Sequence, residues 1–259
     1  MRFKEFIDID SLRHAKIDEK PVKNYKGDYK NLDIAKPSSN GSDKTYQELN
    51  DMQDMFKDRN EVIEKSVKDH DLEVGYAVKQ YLKNNKLDYK ESDVNKIADI
   101  GGGIVRYYKN KFERVRPYQL AEALKMKFDH MPLESNSMKS PAYPSGHSLQ
   151  SRLIAEYYAE QYPEHKKGLI AAAEETGKGR IYAGWHYPSD HEAAVKLAKQ
   201  IYPNITMRKT FKESIIDIPR RTYAPKVFDD ADTKDPKIKA SVKAQIDRQL
   251  KEFESEYPI

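Results

Sequence analysis

Cysteine is absent from the 259-residue chain, which excludes disulfides and thiolate metal sites and leaves the redox compartment open. No run approaches the roughly 20 apolar residues that a bilayer span requires. At the N-terminus, Arg2, Lys4, Glu5, Asp8 and Asp10 interrupt the apolar residues, so there is no secretory h-region. The chain as given reads as cytoplasmic, with no membrane span. Charge of one sign is also lacking: 46 basic residues nearly balance 42 acidic ones and the signs interleave, so nothing points to a nucleic-acid partner. Glycine and proline are few, and there is no internal repeat or low-complexity tract. What remains is rich in Lys, Glu, Ala and Leu, a composition that favours an all-α protein.

Residues 1–44 carry turn chemistry at Pro21, Gly27, Pro37 and Ser38 to Ser42 and read as a polar N-terminal arm, extended or loosely packed. Apolar periodicity then predicts a helical domain over 45–203, with helices at Tyr46 to Lys57, Asn60 to Asp69, Leu72 to Asn84, Ser92 to Phe112, Pro117 to Phe128, Ser148 to Tyr162 and Glu164 to Tyr182. A further helix is expected after a capping box of Ser189 and Glu192. The segment from His130 to Tyr143 reads as irregular. Gly101-Gly102-Gly103 lacks the preceding strand and the spacing of a nucleotide loop, so close helix packing or a kink is expected there. Residues 204–259 form a C-terminal extension with an expected terminal helix from Ile238 to Phe253.

Three clusters combine titratable and anion-binding residue types. Lys109 and Arg116, seven apart, are expected on one helix face, two turns apart, before Pro117 breaks the helix. Pro144-Ser145-Gly146-His147 precedes a predicted helix, where free N–H groups and the helix dipole favour an anion. Arg180, His186 and Asp190 surround a helix junction, and a histidine four residues before an aspartate is placed to bond to it. Each has a plainer reading alone: a solvated face, a serine-capped helix start, and an aromatic corner around Trp185 and Tyr187. The remaining histidines, His14, His70, His130, His165 and His191, show no metal-ligand pattern and read as surface residues, with His191 also a candidate for the pocket mouth.

Together the three clusters resemble the signature of the phosphatidic-acid phosphatase type 2 and vanadium haloperoxidase superfamily: Lys, six residues, Arg-Pro; then Pro-Ser-Gly-His; then Ser-Arg, five residues, His, three residues, Asp. Lys109, Arg116, Pro117, Pro144, Ser145, Gly146, His147, Arg180, His186 and Asp190 match, and Gly179 stands where the family has serine. The likeness extends over residues 92–203 and looks strongest toward the class A bacterial non-specific acid phosphatases. It implies a helical bundle in which Lys109, Arg116, Arg180, Ser145 and Gly146 hold phosphate, His186 is the nucleophile, His147 the general acid and Asp190 the partner of His186. It implies no metal and no cofactor, a phosphorylated small molecule or lipid as substrate, and vanadate as an inhibitor.

Two other functions fit the same residues. A vanadium-dependent haloperoxidase would hold vanadate as cofactor on His186, although such enzymes carry a larger helical scaffold. A non-catalytic phosphate-binding or structural protein would use the long polar ends to dock partners or to form a homo-oligomer.

Overall fold

The computed structural model describes residues 8–132 and 136–206. Eight α-helices account for most of them: α1 (Asp43–Phe56), α2 (Glu61–Leu72), α3 (Tyr76–Asn84), α4 (Glu91–Phe112), α5 (Pro117–Ala123), α6 (Gly146–Gln161), α7 (Lys166–Tyr182) and α8 (Pro188–Ile201). No strand occurs among the described residues beyond one isolated bridge between Tyr25 and Ile205, so the fold is all-α. The expected helix from Ile238 lies outside them. None of the described helices is long and apolar enough to cross a membrane.

Local chemistry sets the helix starts. Ser42, Asn60 and Ser145 cap α1, α2 and α6 by accepting backbone N–H bonds through their side chains. The eighth helix departs from expectation. It begins at Pro188, and its capping carboxylate is Asp190, whose Oδ2 accepts the Tyr187 N–H at 3.0 Å; Ser189 instead gives its N–H to Glu48. α5 also stops short of Phe128, because the chain turns left-handed at Lys125 (φ 57°), and Phe128 packs edge-on against Phe56.

α6 is the central element, packed against α4, α7 and α8. Its buried residues, Leu149, Leu153, Ile154, Tyr157 and Tyr158 among them, surround the axis rather than forming one stripe, as a helix enclosed by others requires. The glycine run lies inside a continuous α4 and serves close packing on two sides. A Cβ at Gly101 would stand 3.1 Å from Gln150 and Leu153 of α6, and one at Gly103 would stand 2.9 Å from Val22. Val22 belongs to residues 8–42, which run extended along the bundle. There Tyr108 donates its hydroxyl to Tyr29 O, Asn110 exchanges two bonds with Ile17, and Arg106 donates to Asp18 O.

Candidate active site

The end of α4, the linker into α5, the start of α6 and the α7–α8 corner converge on a cavity of about 450 Å³. Lys109, Arg116, Gly146, His147 and His186 line it. Lys109 and Arg116 meet there by a route the sequence did not suggest. α4 ends at Phe112, where Glu113 takes a left-handed φ of 50°. Arg116 therefore stands in extended backbone at the N-cap of α5, and Pro117 opens that helix instead of breaking α4. Lys109 Nζ is held by the carbonyls of Pro141 and Ala142.

Arg116 is almost fully buried and anchored on several sides. Its Nε donates to Ser140 O at 2.9 Å, and its Nη1 donates to Trp185 O at 2.9 Å and to His186 Nε2 at 3.0 Å. On the opposite side of the ring, His186 Nδ1 lies 3.0 Å from Asp190 Oδ2. A guanidinium has no acceptor and a carboxylate no donor. The proton of neutral His186 is thus on Nδ1, and the Nε2 lone pair accepts from Arg116 at the cavity wall.

Asp190 is shared. Its Oδ1 accepts from Arg114 Nη1 at 2.7 Å, while Arg114 Nη2 reaches Glu48 Oε2 at 2.9 Å and the guanidinium lies 3.7 Å over the Tyr187 ring. Glu48 Oε1 in turn receives the Ser189 N–H at 2.8 Å. This buried group ties α1 to the start of α8. No motif singles out Arg114 or Glu48, which are 66 residues apart in the chain.

Ser145, Arg180 and Asp190 are fully buried and are not among the residues lining the cavity. Arg180 lies over Trp185, with its guanidinium 4.3 Å from the ring, and its Nη1 is 2.5 Å from Asp71 Oδ1. The same oxygen is 3.9 Å from His147 Nε2, so Asp71, another residue missed in the sequence, lies between Arg180 and His147. At Gly179 a Cβ would stand 3.4 Å from Val67 and 3.9 Å from His70 Nδ1. His70 is a correction: it is buried, with no hydrogen bond at Nδ1, rather than on the surface. His191 is corrected too, since it is not at the cavity mouth but bonds Ser148 and Glu174. His14, His130 and His165 stay partly exposed.

Positive charge dominates the site. Burial first, then Arg180, His186, Arg116 and Lys109, push the His147 pKa well below its ordinary value. Burial, then Arg116, Lys109 and Arg180, do the same to His186. Burial and Arg116 push Lys109 far down, and burial with Arg180 lowers Arg116 to about 10. Arg114 is the exception. Against the cost of its burial, Asp190, Tyr187 and Glu48 hold its pKa raised. The arrangement is a cavity built for an anion, with two neutral imidazoles at its wall.

The PAP2 superfamily model matches residues 97–198, which contain all the lining residues of the cavity named above. The chain is similar to the non-specific acid phosphatase of Providencia stuartii, 24% identical over 59% of this chain and 63% of that protein. It is 27% identical to the non-specific acid phosphatase of Salmonella typhimurium over 42% of this chain and 43% of that protein. The chain thus spans less than two thirds of the length of these relatives. Among solved structures, a transmembrane PAP2 type phosphatidylglycerolphosphate phosphatase from Bacillus subtilis aligns with 70% of this chain and 91% of its own, at 18% identity and a TM-score of 0.43.

Proposed function

We propose, from the match of residues 97–198 to the PAP2 superfamily model, that the chain is a metal-independent phosphomonoesterase working through a phosphohistidine intermediate. The observation that carries the reading is the pair of bonds on His186, one to Asp190 that keeps the proton on Nδ1 and one from Arg116 that holds the Nε2 lone pair at the wall of a cationic cavity, a bond Arg116 gives up when Nε2 attacks. Lys109, Arg116 and the Gly146 backbone, which line the cavity, hold the phosphoryl oxygens, and Arg180 and Ser145, buried just behind that wall in the free protein, reach the anion when it binds. Nε2 attacks phosphorus, the bond to the ester oxygen breaks, and His147 gives that oxygen a proton. Water, losing its proton to His147, then attacks phosphorus and releases phosphate. Asp190 holds the ring and stabilises its cationic form during transfer. Phosphoryl transfer needs chiefly positioning and charge stabilisation, and the three cations supply both without a metal.

Lys16, Asp18, Arg106, Lys139 and Gln150 also line the cavity, and among the described residues no Phe, Tyr or Trp does. Such walls favour a compact, water-soluble ester over a lipid or a stacked nucleobase. The test is a panel of phosphate esters assayed with and without chelator. Hydrolysis of small anionic monoesters that survives chelation, and inhibition by vanadate, are expected. A requirement for added Mg²⁺ or Zn²⁺, or indifference to millimolar vanadate, would overturn the reading.

A further inference from the structure

Behind the cavity wall, a chain of hydrogen bonds runs from the surface to the cap of α6. Glu174 Oε2 lies 2.8 Å from His191 Nε2, His191 Nδ1 lies 3.0 Å from Ser148 Oγ, and Ser148 Oγ lies 2.9 Å from Ser145 Oγ. Side-chain exposure falls along it, from 32% at Glu174 and 13% at His191 to complete burial at Ser145. The imidazole has a slot cut for it: a Cβ at Gly177 would stand 2.1 Å from His191 Nδ1, so only glycine admits the ring. The charged groups around it are Glu174 of α7 and, through Glu174 Oε1, Arg152 of α6; Asp190, next to His191 in sequence, faces Arg114 and His186.

We propose that His191 is a positioning residue that sets the direction of the Ser145 hydroxyl, and with it the grip of the site on phosphate. The inference rests on the phosphatase reading above, in which Ser145 is a phosphate ligand. Glu174 accepts only, so His191 keeps a proton on Nε2 in either charge state. When His191 is cationic, Nδ1–H donates to Ser148, Ser148 donates to Ser145, and the Ser145 proton is left to donate to a phosphate oxygen. When His191 is neutral, Nδ1 is an acceptor. Ser148 then turns its proton to His191, Ser145 turns its own to Ser148, and a hydroxyl lone pair faces the anion. One proton, taken from solvent or returned to it, reverses two hydroxyls and moves no heavy atom.

The experiment is calorimetric binding of inorganic phosphate across the pH range in which histidines titrate, for the full chain, His191→Gln and Ser148→Ala. Ionisation of phosphate and of His147 and His186 is common to all three, so the contrast isolates the relay. In the unaltered protein, affinity should fall by about tenfold more with rising pH than in either variant, the lower range for one hydrogen bond to a charged group. Ser148→Ala decides between relay and simple charge, because it leaves His191 and Glu174 in place while cutting the link to Ser145. Loss of the extra pH limb in both variants supports the proposal. A limb that persists in Ser148→Ala reduces His191 to a distant charge and overturns it. No phosphate binding by the unaltered protein at any pH would overturn the phosphatase reading and this inference together, whereas binding with an unaltered limb overturns the relay alone.

Discussion

Arg116 and His186 are joined by a bond in which the guanidinium donates to Nε2 at 3.0 Å, so the nitrogen proposed to attack phosphorus is held as a lone pair before any substrate arrives. Nitrogen-15 spectra of the free protein at neutral pH should show His186 as the neutral Nδ1–H form. A His186 imidazolium under those conditions would contradict the geometry.

Because the surrounding cations and burial hold His147 well below its ordinary pKa, the proposed general acid is neutral in the free protein. A bound phosphate or vanadate brings the missing negative charge and reverses that bias, so binding at neutral pH should take up a proton. Calorimetry in buffers of different ionisation enthalpy measures this uptake directly. Binding with no proton uptake near neutrality, or with release, would argue against His147 as the acid.

Acid should destabilise the fold through the same groups. His70, His147 and His186 all have pKa values lowered by burial, so each binds its proton more readily once unfolded. Their contribution is complete above the ordinary histidine value and is lost as pH falls below it, through the lowered values. The slope is up to about 1.4 kcal/mol per pH unit for each histidine. Denaturant midpoints measured downward from neutral pH should fall accordingly, and saturating phosphate should offset part of the loss.

Arg114 neutralises two buried carboxylates at once, through Asp190 at 2.7 Å and Glu48 at 2.9 Å. Arg114→Ala should cost about 3–5 kcal/mol in urea unfolding, the usual penalty for leaving buried charge unpaired. Arg114 is also one of the cations that lower the His186 pKa, so in whatever variant protein folds that value should rise. A loss near 1 kcal/mol would mean that the pair is solvated.

Helix periodicity was legible where a single face decides the matter, and so was the cap at Ser145, whereas Ser42, which reads as a turn residue, and Asn60, which reads as the first residue of a helix, are caps. The three clusters were legible as chemistry because residue type and spacing carry it. What was hidden depends on the backbone between them. Nothing in the identity of Glu113 announces a left-handed residue, so Arg116 was read on the wrong element. Ser189 and Asp190 are both good capping residues, and the choice between them is made by Glu48, 141 residues away. Asp71 and His70 lie in an amphipathic helix where one face looks much like another until α7 packs on it.

Gly179 is a milder departure than it looks. Space for a Cβ exists there at ordinary contact distance from Val67, and a serine hydroxyl would lie near the unbonded Nδ1 of buried His70. Gly179→Ser should leave thermal stability within about 1 kcal/mol, a helix-propensity gain opposing the side-chain ordering cost. A much larger loss would show that the site tolerates no side chain.

In the proposed mechanism His186 carries the phosphoryl group and His147 protonates the departing oxygen. Rapid quench with a labelled phosphomonoester, in conditions that preserve phosphohistidine, tests it most directly. Labelled protein should form in the unaltered enzyme and be absent in His186→Ala. In His147→Ala turnover should be slowed by about 10² to 10⁴, the usual worth of a general acid, with a smaller loss for a nitrophenyl ester than for an alkyl ester. Labelled protein that still forms in His186→Ala, or equal impairment of good and poor leaving groups in His147→Ala, would contradict it.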